Sequence, residues 1–321
     1  MMPAASRPSV RAAPARAPDS LGFGCASLGS RIGASAGLDA LAAAFDAGIT
    51  WYDVAPAYGA GDAETLLGRF LHGRRNHVSV TTKVGVAPPA RLGMLKAAYA
   101  LGRPLIGVAA RLRRGFRALS ATRNRRVPLG AELIVQSIED SLRRLRLDHV
   151  DVFALHDPDP GDVGKEEIIR ALESVLARGQ ARAIAVAGTL EACLAAKTVG
   201  GPYSVLQMST QSLASAHAQF VGGRQRLVTH SVFGVNDGMR ERLVVALRGR
   251  PDKARRLISL GYDSRIEQAA ADLLLDNAFA QNPNGIVLAS MFEARHRAAN
   301  LARATRPLSA GAPELVRELL A

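Results

Sequence analysis

An acid, a phenol, an ammonium and an imidazole each follow or close a short apolar run in this chain. Asp53 and Tyr58 stand five positions apart between Trp51 and Gly59, Lys83 is the only charge between Val78 and Gly85, and His156 ends the run that begins at Val150. A carbonyl that accepts hydride develops negative charge on its oxygen, so the reaction needs a proton donor there and a positive field around it. Tyr58 can supply the proton. A buried ammonium at Lys83 favours the phenolate and is expected to lower the phenol from its ordinary value near about 10. Asp53 would hold Lys83 charged and fixed, and a neutral His156 would donate a hydrogen bond to the substrate oxygen and orient it. Taken singly, each residue has a plainer use: Asp53 as a turn cap, Tyr58 as a rim aromatic, Lys83 as a solvated strand end, His156 as a core histidine bonded to Asp157. Together, on successive strand ends, they make a candidate proton-donating carbonyl site.

The elements that would position these residues alternate. Strand-like runs are read at Leu21–Cys25, Thr50–Val54, Val78–Thr82, Val150–Leu155, Ala183–Val186, Ser204–Met208, Leu227–Val232 and Gly285–Leu288. Helix-patterned stretches lie between them, at Leu38–Ala47, Ala63–Leu71, Glu132–Arg144, Glu166–Ala177, Leu190–Ala196 and Arg265–Ala280. Such alternation predicts an α/β protein with a parallel sheet, and eight units close into a (β/α)8 TIM barrel. A doubly wound fold would need a G-x-G-x-x-G turn opening a helix. The glycine-rich stretch Leu21–Gly29 lacks that spacing. In a barrel the active residues stand at the C-terminal ends of strands, where Asp53, Lys83 and His156 fall.

The 321 residues are read as a disordered tail at 1–20, rich in Ala, Pro, Ser and Arg, followed by one barrel domain at 21–321. The region 86–130 is longer than a loop requires and reads as a basic insertion after the third strand. It has helical pieces at Met94–Leu101 and Leu105–Leu119, interrupted by Pro104 and carrying Arg103, Arg111, Arg113, Arg114 and Arg117. It is expected to act as a lid, as a basic face for weak contact with an anionic surface, or as a helical hairpin packed on the rim. With 41 Lys and Arg against 28 Asp and Glu the formal charge is +13. No nucleic-acid motif or interleaved aromatic stripe accompanies it, so no nucleic-acid partner is expected. Cys25 and Cys193 have neither disulfide nor metal-ligand spacing, and no apolar run reaches membrane-spanning length. A cytoplasmic protein without a bound metal is expected.

From Leu21 to about Arg303 the chain resembles the aldo-keto reductases. Gly48 to Glu64 is similar to that family's Asp/Tyr signature, Thr82-Lys83-Val84-Gly85 to its lysine motif, and Ser137 to Asp151 to the helix that leads into its histidine strand. The resemblance implies Tyr58 as general acid, Lys83 and Asp53 as its tuning pair, and His156 as the orienting residue. It also implies a nicotinamide cofactor, NADP or NAD, held across the barrel mouth without a dinucleotide-binding domain. Gln207 matches the glutamine that contacts the nicotinamide amide. The family's Ser-Asn pair after the fifth strand is Ala187-Gly188 here, and its stacking aromatic aligns with His230.

Gly285 to Asn300 resembles the family's phosphate-binding segment, which makes Ser290, Arg295, Arg297 and Asn300 candidates for the adenosine end. A lysine that pairs with the 2′-phosphate in many members is Ala289, so the choice stays open, with NADP favoured. The stretch His156-Asp157-Pro158-Asp159 resembles the corresponding segment of bacterial sugar and pyridoxal dehydrogenases. The expected activity is hydride transfer between nicotinamide and a carbonyl or sugar-type substrate. The alternatives are an aldose 1-dehydrogenase working in the oxidative direction and a non-catalytic cofactor-binding sensor or scaffold, the latter prompted by Ala187, Gly188, Ala289 and the insertion.

Overall fold

The structure, a computed structural model, describes residues 20–88, 125–234, 238–307, 309 and 311–321. In chain order the strands are β1 (Leu21–Gly24), β2 (Trp51–Asp53), β3 (Ser79–Val84), β4 (Val86–Ala87), β5 (Arg125–Arg126), β6 (Val150–His156), β7 (Ala181–Ala187), β8 (Tyr203–Ser209), β9 (Arg226–His230) and β10 (Ile286–Ala289). Eight of them pair in parallel and close in the order β1-β10-β9-β8-β7-β6-β3-β2, the (β/α)8 barrel that the alternation predicts. Each of the eight sequence-read runs overlaps one barrel strand.

Helices cover the outside: α1 (Ala34–Asp46), α2 (Ala63–Leu71), α3 (Ala131–Leu145), α4 (Glu166–Ala177), α5 (Leu190–Val199), α6 (Thr210–Phe220), α7 (Met239–Gly249), α8 (Pro251–Ser259), α9 (Ile266–Gln281), α10 (Ala294–Ala304) and α11 (Ala312–Leu320). Helix α3 has the patterning that makes such a cover, burying Ile134, Ile138, Leu142 and Leu145 at spacings of three and four. Each such side chain contributes at most about 1.5–3 kcal/mol on burial. Helix α8 buries only Leu257 and α7 only Leu243 and Leu247, too few apolar positions to announce a helix by periodicity.

The barrel interior changes character along its axis. Trp51, Val152, Ala154, Ala185, Val205, Val228, Ile286 and Leu288 pack together inside the strands as an apolar plug. Side chains repeat every second residue along a strand, so positions two steps onward share that inward face. Those positions hold Asp53, His156, Gln207, His230 and Ser290, while Ala187 still belongs to the apolar cluster. The same periodicity that fills the floor with hydrocarbon therefore raises a ring of polar groups above it. Asp53 is registered with Thr81, so Lys83 stands two residues further up β3 on the same face, and Lys83 is registered with Ala154, two short of His156.

β4 and β5 pair antiparallel, Val86 with Arg126 and Ala87 with Arg125, where the insertion leaves and rejoins the barrel. Its expected helical pieces and their arginines lie outside the described residues, as do residues 1–19 of the expected tail. Among the described residues no helix is long and apolar enough to cross a membrane.

Candidate active site

Lys83 is fully buried, and its Nζ donates to Asp53 Oδ1 at 2.6 Å and to the Val54 carbonyl at 3.0 Å. Burial opposes the ammonium, yet Asp53 and then Tyr58 outweigh it and the Lys83 pKa rises. A buried carboxylate–ammonium pair of this kind keeps both charges only while both partners remain. Thr82 faces the other way, donating to Glu64 Oε1 at 2.6 Å, and Arg144 meets Glu64 Oε2 at 2.6 Å. That buried chain clamps α2 and α3 to the strand that carries Lys83.

Tyr58 begins a 3-10 turn, Tyr58–Gly61, just beyond β2. The turn is seated by Gly59, at φ +61°, where a Cβ would lie 1.6 Å from the Leu28 carbonyl oxygen; only glycine allows the β2 loop to lie this close to the β1 loop. Lys83 Nζ sits 4.8 Å from the centre of the Tyr58 ring, and the His156 ring meets Tyr58 edge-on at 5.8 Å. Burial pushes the Tyr58 phenol above its ordinary value, with Lys83 pulling the other way. The lowering expected from the sequence is thus reversed: desolvation of a phenolate outweighs one ammonium whose charge is already balanced by Asp53. Tyr58 therefore keeps its proton at neutral pH.

His156 is held neutral, its pKa driven down to about 3 by burial first and then by the charges of Lys83, His230 and Arg126. Its Nδ1 is buried without a partner, so the plainer reading of a core histidine bonded to Asp157 does not hold.

A cavity of about 390 Å³ opens at the C-terminal mouth of the barrel. Asp53, Tyr58, Lys83 and His156 line it together with Gln207, His230 and Ser290. His230 Nδ1 is 2.9 Å from Ser231 Oγ, and burial lowers its pKa. Arg295, Arg297 and Asn300 do not line the cavity; they lie on α10, beyond Ser290. Arg295 Nε donates to Glu293 at 3.0 Å and Arg297 Nη1 to the Met291 carbonyl at 3.1 Å, while the Nδ2 of Asn300 is buried with no partner.

The cavity also takes in Ser27 and Arg31 from the loop after β1, Asp157 after β6, and Ser231 and Phe233 after β9, none of which the sequence reading singled out as a site residue. Their signal was the rule already used for His156, that loops following barrel strands carry the site.

The model of the Aldo/keto reductase family matches residues 20–219. The chain belongs to the aldo/keto reductase family. Aldo-keto reductase YhdN of Bacillus subtilis is 27% identical over 57% of this chain and 48% of its own length. The D-threo-aldose 1-dehydrogenase of a Pseudomonas species is 31% identical over 68% of this chain and 66% of its own. The chain therefore spans between about half and two thirds of these relatives. Among solved structures, aldo-keto reductase AKR11C1 from Bacillus halodurans in its holo form superposes with a TM-score of 0.68 at 19% identity, covering 96% of this chain and 97% of that one. An aldo-keto reductase from Klebsiella pneumoniae in complex with NADPH gives 0.65 at 20% identity, covering 94% and 91%. At such identities the likeness is one of fold.

Proposed function

We propose that the protein is an NAD(P)-dependent oxidoreductase acting on a carbonyl or sugar-type substrate, with Tyr58 as the general acid. The observation that carries this reading is the Asp53–Lys83–Tyr58 arrangement, in which a buried charge pair separated by 2.6 Å lies against a phenol in an open cavity. A nicotinamide held there would supply hydride to a carbonyl carbon, or accept it from an alcohol carbon in the reverse direction. Tyr58 Oη gives its proton to the carbonyl oxygen as charge develops there, and Lys83 stabilises the phenolate left behind. Asp53 keeps Lys83 charged throughout. His156, neutral across the physiological range, positions the same oxygen by donating a hydrogen bond.

The residues fit a dinucleotide. The buried Gln207 carries its carboxamide on the cavity wall, His230 offers a planar ring beside it, and the unpartnered Asn300 amide lies along the segment beyond Ser290. Arg297, with Arg295 paired to Glu293 beside it, supplies cationic charge that Ala289 does not, which favours NADP over NAD. The resemblance to a D-threo-aldose 1-dehydrogenase and to the L-galactose dehydrogenase of Arabidopsis thaliana favours an aldose as substrate and oxidation as a second direction.

Purified protein is expected to oxidise NADPH with an aldehyde panel or to reduce NADP+ with free aldoses. Tyr58→Phe should lower the faster of these rates by about 10²–10⁴-fold with an unchanged far-UV circular dichroism spectrum. An unimpaired Tyr58→Phe enzyme would overturn the role of Tyr58.

A further inference from the structure

At the end of β7 two side chains able to hydrogen-bond are missing, because Ala187 and Gly188 stand there. At Gly188 the local packing is tight. A Cβ on Gly188 would lie 3.2 Å from Asp157 Cα and 3.3 Å from Pro158 Cδ, so the loop after β6 leans onto the strand end. Asp157 N donates to the Ala187 carbonyl at 2.7 Å, and Gly188 N to the Gln207 carbonyl at 3.0 Å, which ties the three strand ends together.

What occupies the space in front of Gly188 is the Asp157 carboxylate, whose Oδ1 is 3.5 Å from that virtual Cβ. Asp157 reaches this position with φ +49°, a left-handed conformation that among non-glycine residues Asp and Asn adopt most readily. Its side chain lines the cavity, and its charge is felt by Tyr58 on one wall and by His230 on another. It accepts no hydrogen bond from any described residue. Asp157 thus places on the cavity wall a carboxylate with no hydrogen-bond partner among the described residues, beside the two small residues that end β7.

We infer that Asp157 is a cofactor-binding residue that takes over recognition of the nicotinamide carboxamide from positions 187 and 188 and favours the oxidised cofactor over the reduced one. The inference rests on the nicotinamide reading above and goes beyond it. A carboxylate accepts from the carboxamide NH2 as a serine or asparagine oxygen would, and it differs from both by carrying charge. The oxidised nicotinamide ring is cationic and the reduced ring neutral. An anion on the cavity wall therefore stabilises the first more than the second. The consequence is preferential occupancy of the site by the oxidised cofactor.

The test is isothermal titration calorimetry of the full chain and of Asp157→Asn with NADP+ and with NADPH. Asparagine keeps the shape, tolerates positive φ and retains an acceptor oxygen, so the variant removes the charge alone. Asp157→Asn is expected to weaken NADP+ by about tenfold and to change NADPH by less than about twofold, a differential that one nearby charge supplies. A thermal melt within the wild-type range establishes that the variant is folded. If the ratio of the two dissociation constants is the same in variant and wild type, the inference is overturned while the cofactor reading stands. If the wild-type chain binds neither form, both fall together.

Discussion

The two walls of the cavity are built differently. On the β2–β3–β6 side, Asp53, Tyr58, Lys83 and His156 form a compact group in which the buried Lys83–Asp53 contact fixes the rest. On the β7–β10 side the inward positions are Ala187, Gln207, His230 and Ser290, with less polar reach and no buried ion pair at the strand ends. The first wall has one workable arrangement, because removing a partner from a buried charge pair leaves an uncompensated charge. The second wall tolerates exchange, since a lost hydrogen bond there can be replaced from a neighbouring loop. On the proposed reading, proton transfer falls to the stiff half of the site and cofactor recognition to the other.

The largest effect should come from the stiff wall. Lys83→Met leaves the Asp53 carboxylate buried without its ammonium, and Asp53 Oδ2 already has no partner. The expected loss is about 3–5 kcal/mol of unfolding free energy by urea denaturation. The double variant Lys83→Met, Asp53→Asn should recover at least about 1 kcal/mol of it, while activity stays abolished in both. Equal stability of single and double variants would mean that the pair is not the keystone of this wall.

His156 gives a smaller effect on the same wall, with a sign that can be worked out. In the unfolded chain it titrates near 6.5, but in the fold only near 3. Between those values the unfolded state binds more protons, so stability is fully present above pH 6.5 and is lost as pH falls toward 3. The slope from this residue is at most about 1.4 kcal/mol per pH unit, less in proportion to the partial exposure of the ring. His156→Gln should flatten that acid limb. Chemical denaturation at pH 7, 6, 5 and 4 reads the difference, and parallel curves for the two proteins would contradict a neutral buried imidazole.

The contrast between the walls also explains what the sequence disclosed. Asp53, Lys83 and His156 were legible because each ends or follows an apolar run, and a parallel barrel sends every such end to one face. The strands were legible for the same reason. Helix α6 was not: its sequence Thr210–Phe220 is small and polar, and the face it buries at Leu213, Ala216 and Phe220 holds only two large apolar side chains. Tyr58 could be read as an acid but not as a phenol with a raised pKa, because desolvation depends on what packs around it. Asp157 and Gly188 belong to the same class. Their relation is a 3.2 Å approach between two loops, which no spacing along the chain encodes.

The smallest predicted effect lies at the far end of the tolerant wall, on α10. Arg297 is half-buried and braced by the Met291 carbonyl, whereas Arg295 is exposed and its charge is offset by Glu293. A braced, unneutralised guanidinium loses less freedom when it meets a phosphate than an exposed one that must first leave a carboxylate. If these arginines serve the 2′-phosphate, Arg297→Ala should weaken NADP+ by about tenfold and Arg295→Ala by only about two- to threefold. NAD+ affinity should be unchanged in both variants, since it has no phosphate at that position. Titration calorimetry with the two cofactors separates the cases. A parallel loss for NAD+ and NADP+ would assign the arginines to α10 packing, and a larger effect at Arg295 would mean that the Glu293 pair opens on binding.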